Sequence, residues 1–421
     1  MNKKDSYSGS VKEIFPIALP IFFSQAIDVA MIFCDRYFLS KFGKEELAAT
    51  LTGGITNYLV STLLFGILGQ LASLVGQYKG ANQIEKAVGT VQQGLLLSIL
   101  ITPFLYLGGL LLIPELLIFF GHEQKLIENE IKYFSILSLT VITTSIRSVF
   151  ANFFIGVGRT KIVSIAALFG VIINIPLTYI LVFGKLGLPR LGIEGAAIGT
   201  VIASISSVLI LVVKFYSKSF RQEFKTTTSF RIQVDLLYRL IRYGLPSGIE
   251  SLVSVSGFLF FTMVMYSYSG VVAAATTIVL NWDMVCFIPL LGISQAVSGL
   301  VGKYLGEKRK DLALRSAYSA LKLGWIYAVF ITFLYFMFTS VLISPFTPIE
   351  MNDYDKVLDT GIILLKISCL YFLFDSSYQI LGGVLKGSGD TLFPMIVSNT
   401  VMWSMASFTF YAKKNLQLTP I

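Results

Sequence analysis

Apolar residues run in long blocks along this chain, and short polar stretches separate them. Eleven blocks stand out, at roughly 13–38, 47–78, 87–114, 128–156, 161–184, 195–216, 238–267, 272–304, 312–345, 357–385 and 392–411. About 20 apolar residues in a helix cross a ~30 Å hydrocarbon core. The pattern therefore predicts eleven membrane-spanning helices. Several are long enough to tilt, or to continue past the bilayer.

The blocks also repeat. Residues 13–100 overlay the second half, without a gap, at an offset of 226 positions. Leu19-Pro20 falls on Leu245-Pro246, and Ala48-Ala49-Thr50 on Ala274-Ala275-Thr276. Gly66, Gly76, Tyr78 and Gly80 fall on Gly292, Gly302, Tyr304 and Gly306. Six spans separate the copies, so both start on the same side of the membrane. Such parallel repeats are related by an axis along the membrane normal and enclose a central cavity. The predicted fold is an all-α polytopic membrane protein of two helical lobes. Six spans fall in 1–216, a polar inter-lobe linker in 217–236, and five spans in 237–421. A symmetric second lobe would hold a twelfth span. The expectation is a lobe without its last helix, less rigid and poorer at transport.

Composition narrows the class. Only 14% of residues are charged and the mean hydropathy is +0.75, whereas soluble domains carry about 25% charged residues. The net charge of +9 points to topology rather than nucleic acid, because the lysines and arginines sit between the apolar blocks. Lys79, Lys86, Arg159, Lys161, Lys303, Lys308, Arg309 and Lys310 share one side with the basic segment 214–242. Glu350, Asp353 and Asp355 fall on the other. The positive-inside rule then predicts a cytoplasmic N-terminus in a bacterial inner membrane. Residues 1–12 are polar and give no cleavable leader. Cys34, Cys286 and Cys369 lie in apolar blocks and read as core thiols. The single histidine, His122, falls in a loop, which argues against histidine catalysis and a histidine-ligated metal.

Acids inside apolar spans are expensive, and they mark ion or substrate pathways. Asp28 and Asp35 lie seven residues apart, on one helix face. Glu250 follows Pro246 by one turn. Asp283 stands near Asn281, and Asp375 one turn after Tyr371. Asn174 lies beside Pro176. Carboxylates held away from water take up a proton, a hard cation with help from neighbouring oxygens, or a cationic substrate. The plainer alternative is pairing with a base, and Arg36 is the neighbour of Asp35.

At these residues the chain resembles the multidrug and toxic compound extrusion (MATE) family over nearly its whole length. The first-lobe marks are Cys34-Asp35-Arg36-Tyr37-Phe38, Val75-Gly76-Gln77-Tyr78-Lys79-Gly80, Gly156-Val157-Gly158-Arg159-Thr160, Asn174 and Leu191-Gly192-Ile193-Glu194-Gly195. The second-lobe marks are Gly244-Leu245-Pro246, Leu300-Val301-Gly302 and Gly387-Ser388-Gly389-Asp390-Thr391. The resemblance implies an antiporter that expels cationic or amphipathic compounds in exchange for sodium ions or protons. It implies a first-lobe ion site at Asp35 and Asn174 and a second-lobe site at Tyr371 and Asp375. Two departures stand out. Ser254 occupies the position of the span 7 glutamate, with Glu250 one turn earlier. Asp28 stands where the family has a neutral polar residue.

Three other readings compete. A lipid-linked saccharide flippase would want a cationic cavity, and Lys366 is the only base seen near a span centre. An enzyme would want a catalytic constellation, and the chain offers none. A remnant without transport would follow from a lost helix. The expected partners are a small cationic or amphipathic substrate and the bilayer. No nucleic acid and no cofactor beyond the coupling ion are expected, and the chain is expected to be a monomer.

Overall fold

The computed structural model describes residues 7–119, 124–227, 229–344 and 354–415. His122, Glu350 and Asp353 lie outside the described residues. The first lobe is built of α1 (Val11–Phe42), α2 (Lys44–Gly69), α3 (Leu71–Gly80), α4 (Ile84–Phe119), α5 (Gln124–Leu137), α6 (Thr140–Gly156), α7 (Lys161–Phe183) and α8 (Ile193–Phe215). A short α9 (Lys218–Phe224) follows. The second lobe holds α10 (Val234–Tyr266), α11 (Gly270–Gly306), α12 (Lys310–Ile343), α13 (Tyr354–Ser388) and α14 (Leu392–Asn415). A backbone in hydrocarbon must satisfy its own hydrogen bonds, and helices do so within one segment.

Ten of the expected spans are helical segments long and apolar enough to cross a membrane. The eleventh, α14, is a 24-residue helix carrying Lys413 and Lys414 in its last turn. Two spans read as single blocks are each two helices. Gln70 interrupts the second span between α2 and α3, and Ser138-Leu139 interrupt the fourth between α5 and α6. Pro20 and Pro246 sit inside α1 and α10. The segment read as a linker is anchored through α9, whose Phe220 and Phe224 are buried and meet Phe154 and Phe153 edge to face.

The packing divides by level. One core joins both lobes. It holds Ile14, Ala18, Leu68, Leu71 and Val75 with Leu240, Ile293, Val297, Leu300 and Tyr304. Farther along the helices the cores separate. One lies in the first lobe around Leu39, Ala49, Tyr133 and Ala196. Another lies in the second around Ala275, Cys286, Tyr335 and Phe372.

Glycines set the join, and the join obeys the 226-residue repeat. A Cβ on Gly76 would stand 2.5 Å from Gly299 O, and one on Gly302 would stand 2.6 Å from Ser73 O. Ser73 and Gly299 are themselves repeat mates. Likewise a Cβ on Gly80 would collide with Lys303 O and one on Gly306 with Gln77 O. Small residues let membrane helices approach backbone to backbone, where van der Waals contact supplies the attraction. The repeat in the sequence is thus a two-fold axis between α3 and the end of α11.

Candidate functional site

Hydrogen bonds between the lobes gather at the joined end. Tyr304 Oη donates to Glu13 Oε2 at 2.5 Å, and Lys303 Nζ lies 3.4 Å from Glu13 Oε1. Arg239 Nη1 donates to Tyr78 Oη at 3.4 Å. Glu13 and Arg239 are repeat mates, so opposite charges make the same contact on a repeat-mate tyrosine. Ser73 and Gln77 donate to Gly387 O at 3.1 and 3.2 Å, and Gln70 donates to Ser247 Oγ at 3.4 Å. Ser319 donates to Gly9 O at 2.8 Å. Beyond this end lie Asp35, buried in the first lobe, and Asp283 and Asp375, half-buried in the second, while Glu250 borders it one turn after Ser247.

In the first lobe α1 presents Asp35, which is 5% exposed. Thr200 of α8 donates to Asp35 Oδ2 at 2.8 Å. Asn174 of α7, fully buried, donates to Thr178 at 3.2 Å and to Thr200 at 3.5 Å. Asp35 Oδ1 and Asn174 Oδ1 are buried and accept no hydrogen bond. Those two oxygens and the Thr178 and Thr200 hydroxyls form a compact set of acceptors. An orphaned buried acceptor is costly, and a proton or a hard cation would satisfy this pair. Arg36 makes no ion pair with Asp35 among the described residues.

Asp28 shares the α1 face but not the cluster. It pairs with Arg147 of α6 at 2.8 Å, and Arg147 also donates to Ser24 Oγ at 3.4 Å. Arg147 lies within an apolar span, where sequence reasoning had marked only Lys366. Its signal was the isolated base in 141–155, and its partner lies 119 positions away.

In the second lobe the acids lie beside α13. Asp283 of α11 accepts from Tyr371, from Tyr335 at 3.3 Å and from Ser368 at 3.4 Å. Tyr371 is therefore bonded to Asp283. Asp375 is half-buried one turn beyond it, beside Gln379 and within electrostatic range of Asp283. Farther along α13, Tyr378 donates to Glu250 at 3.3 Å and Lys386 pairs with Glu250 at 2.9 Å. Ser254, one turn after Glu250, donates instead to Asn399 of α14 at 3.3 Å. Asn281 is exposed and belongs to none of these sets. Asp283, Tyr371 and Asp375 thus stand together, Glu250 stands with Tyr378 and Lys386, and Ser254 faces α14. Sequence reasoning missed Tyr335, Ser368, Tyr378, Lys386, Thr178 and Thr200. Thr178, Ser368 and Tyr378 had a local signal, each within one turn of Asn174, Tyr371 and Asp375 respectively.

Among the described residues no group of three histidines, cysteines or acids could hold a metal ion. Each acid is instead flanked by hydroxyls, phenols, an amide or a base.

Comparison with known proteins gives this arrangement a family. The model of the MatE family matches residues 20–180 and 246–408. This chain belongs to the MATE family. The two matched segments begin at Pro20 and Pro246, which are repeat mates. The family consists of transporters rather than enzymes. The chain is 28% identical over 382 residues to the probable multidrug resistance protein NorM of Photorhabdus laumondii, covering 90% of this chain and 83% of that one. It is 27% identical over 404 residues to the probable multidrug resistance protein NorM of Idiomarina loihiensis, covering 96% and 86%. Among solved structures, a crystal structure of a MATE in complex with MaL6 superposes with a TM-score of 0.88 at 20% identity, covering 97% and 90%. An outward-facing multidrug resistance MATE transporter superposes at 0.86 with 18% identity, covering 96% and 88%. The fold is thus the two-lobed helical fold of MATE transporters.

Proposed function

We propose that this MATE transporter is a secondary antiporter that exports cationic or amphipathic compounds in exchange for sodium ions or protons. The observation that carries the reading is a carboxylate site in each lobe beyond the joined end, buried Asp35 in the first and half-buried Asp283 with Asp375 in the second, each beside oxygen-bearing side chains. Its relatives named as multidrug resistance proteins support the substrate class. Of the bases inside the spans, Arg147 and Lys386 are each paired with an acid, while Lys366 lies at an exposed position of α13. Asp35, Asp283 and Asp375 have no paired base among the described residues, which favours cationic cargo over a phosphate-bearing one.

In this reading Asp35, with Asn174, Thr178 and Thr200, holds the coupling ion in the first lobe. Asp375, Asp283 and Tyr371 do so in the second, while Glu250 is held by Lys386 until the lobe rearranges. The lobes correspond to 1–216 and 237–421, joined by 217–236. The N-terminus and the joined end face the cytoplasm of a bacterial inner membrane, so the cleft opens outward. Release of substrate and uptake of the ion then occur from the same side, which alternating access requires.

Purified protein in vesicles loaded with a fluorescent lipophilic cation tests the reading. An imposed sodium or proton gradient is expected to drive efflux, and the gradient that works names the ion. Efflux indifferent to both gradients would contradict it.

A further inference from the structure

The joined end carries a second feature, unrelated to the acids. A cavity of about 520 Å³ opens there, walled by both lobes. Tyr78 and Lys86 come from the first lobe, and Arg239, Arg242 and Tyr243 from α10. Three cations line it against one acid, Asp235. Among the described residues none of the three is paired with a carboxylate. Arg239 is bonded to the phenol of Tyr78. Arg242 lies 6.0 Å from the ring centres of both Tyr238 and Tyr243, at the outer limit of a cation–π contact.

The wall is fixed. Gln93 of α4 donates to Arg231 O at 2.9 Å and accepts from Gln233 N at 3.3 Å. Gly89 lets the segment lie close, since a Cβ there would stand 2.7 Å from Gln233 Nε2. Leu236 and Leu240 anchor α10 in the shared core. Lys86, Arg239 and Arg242 are therefore presented from anchored helices.

Beside the cations the surface is apolar. Val234 and Tyr238 are 71% and 59% exposed, and Ile241 and Leu245 are exposed next along α10. Cations at the rim of a membrane span, with bare apolar residues beside them, match an amphiphile with an anionic head. Basic pockets between membrane helices on the cytoplasmic side take anionic headgroups. Free phosphate would meet the cations and leave the apolar strip unused.

We propose that this cavity binds the phosphate headgroup of an anionic phospholipid, through Lys86 of the first lobe and Arg239 and Arg242 of the second, with the acyl chains along Val234, Tyr238, Ile241 and Leu245. The inference stands apart from the transport reading, because its test reads binding alone.

The test uses the full chain purified in detergent. Retention of phosphatidylglycerol and of phosphatidylcholine with the same acyl chains is compared by native mass spectrometry, with inorganic phosphate as competitor. The wild type is expected to retain phosphatidylglycerol preferentially. The triple variant Lys86→Gln, Arg239→Gln, Arg242→Gln is expected to bind it about tenfold or more weakly. Lys86→Gln alone, at an exposed position, gives a smaller loss and decides the matter if the triple variant does not fold. Lys308→Gln with Lys310→Gln removes charge elsewhere on the same end and is expected to leave retention unchanged. Phosphate at millimolar concentration is expected not to displace the lipid. Equal retention of both lipids, undiminished retention in Lys86→Gln, equal loss in the Lys308/Lys310 variant, or displacement by phosphate would each overturn the proposal.

Discussion

At the scale of single residues, the acids of this chain sort by their partners. Asp28 is held by Arg147, and its role is to neutralise a base within a span. Asp28→Asn should cost about 1–3 kcal/mol, because it leaves a largely buried guanidinium uncompensated. Thermal unfolding in detergent measures this, and Asp28→Asn with Arg147→Met should recover most of the loss. No recovery would mean that the pair does not act as a unit. Tyr371 makes a different case, since its phenol is bonded to Asp283. Tyr371→Phe should alter ion dependence while leaving the fold intact, and unchanged dependence would remove Tyr371 from the pathway. Sequence spacing marked the acids but not these partnerships. Asn281 and Asp283 look adjacent, yet two residues on a helix point about 200° apart. Thr200 and Tyr335 are ordinary residues in apolar spans, and only tertiary packing brings them to Asp35 and Asp283.

At the scale of elements, the repeat was the most legible feature, because a 226-residue offset survives any uncertainty about helix ends. The breaks at Gln70 and at Ser138-Leu139 were not legible, since hydropathy stays high across both. The purpose of the repeated glycines was also hidden in the sequence. Gly76, Gly80, Gly302 and Gly306 matter because each meets the backbone of the other copy. Gly306→Leu should push α11 off α3 and destabilise the joined end by about 1–3 kcal/mol. Spin labels on the joined ends of the two lobes would read a longer distance. An unchanged distance and an unchanged unfolding temperature would show that the contact is dispensable.

At the scale of the molecule, one core is shared by the two lobes and the others are confined to a single lobe. The joined end combines the shared apolar core with a small set of polar contacts, among them Glu13 with Tyr304 and Lys303, and Arg239 with Tyr78. The proposed function requires coupling between cargo and ion through Asp35 and Asp375. The most direct test is counterflow: a gradient of a lipophilic cation is imposed across vesicles containing the purified protein, and sodium and proton movement are recorded. One of these ions is expected to move against the cargo, and Asp35→Asn with Asp375→Asn is expected to abolish its movement. Cargo flux without ion movement, or ion movement undiminished in the double variant, would contradict the proposed function.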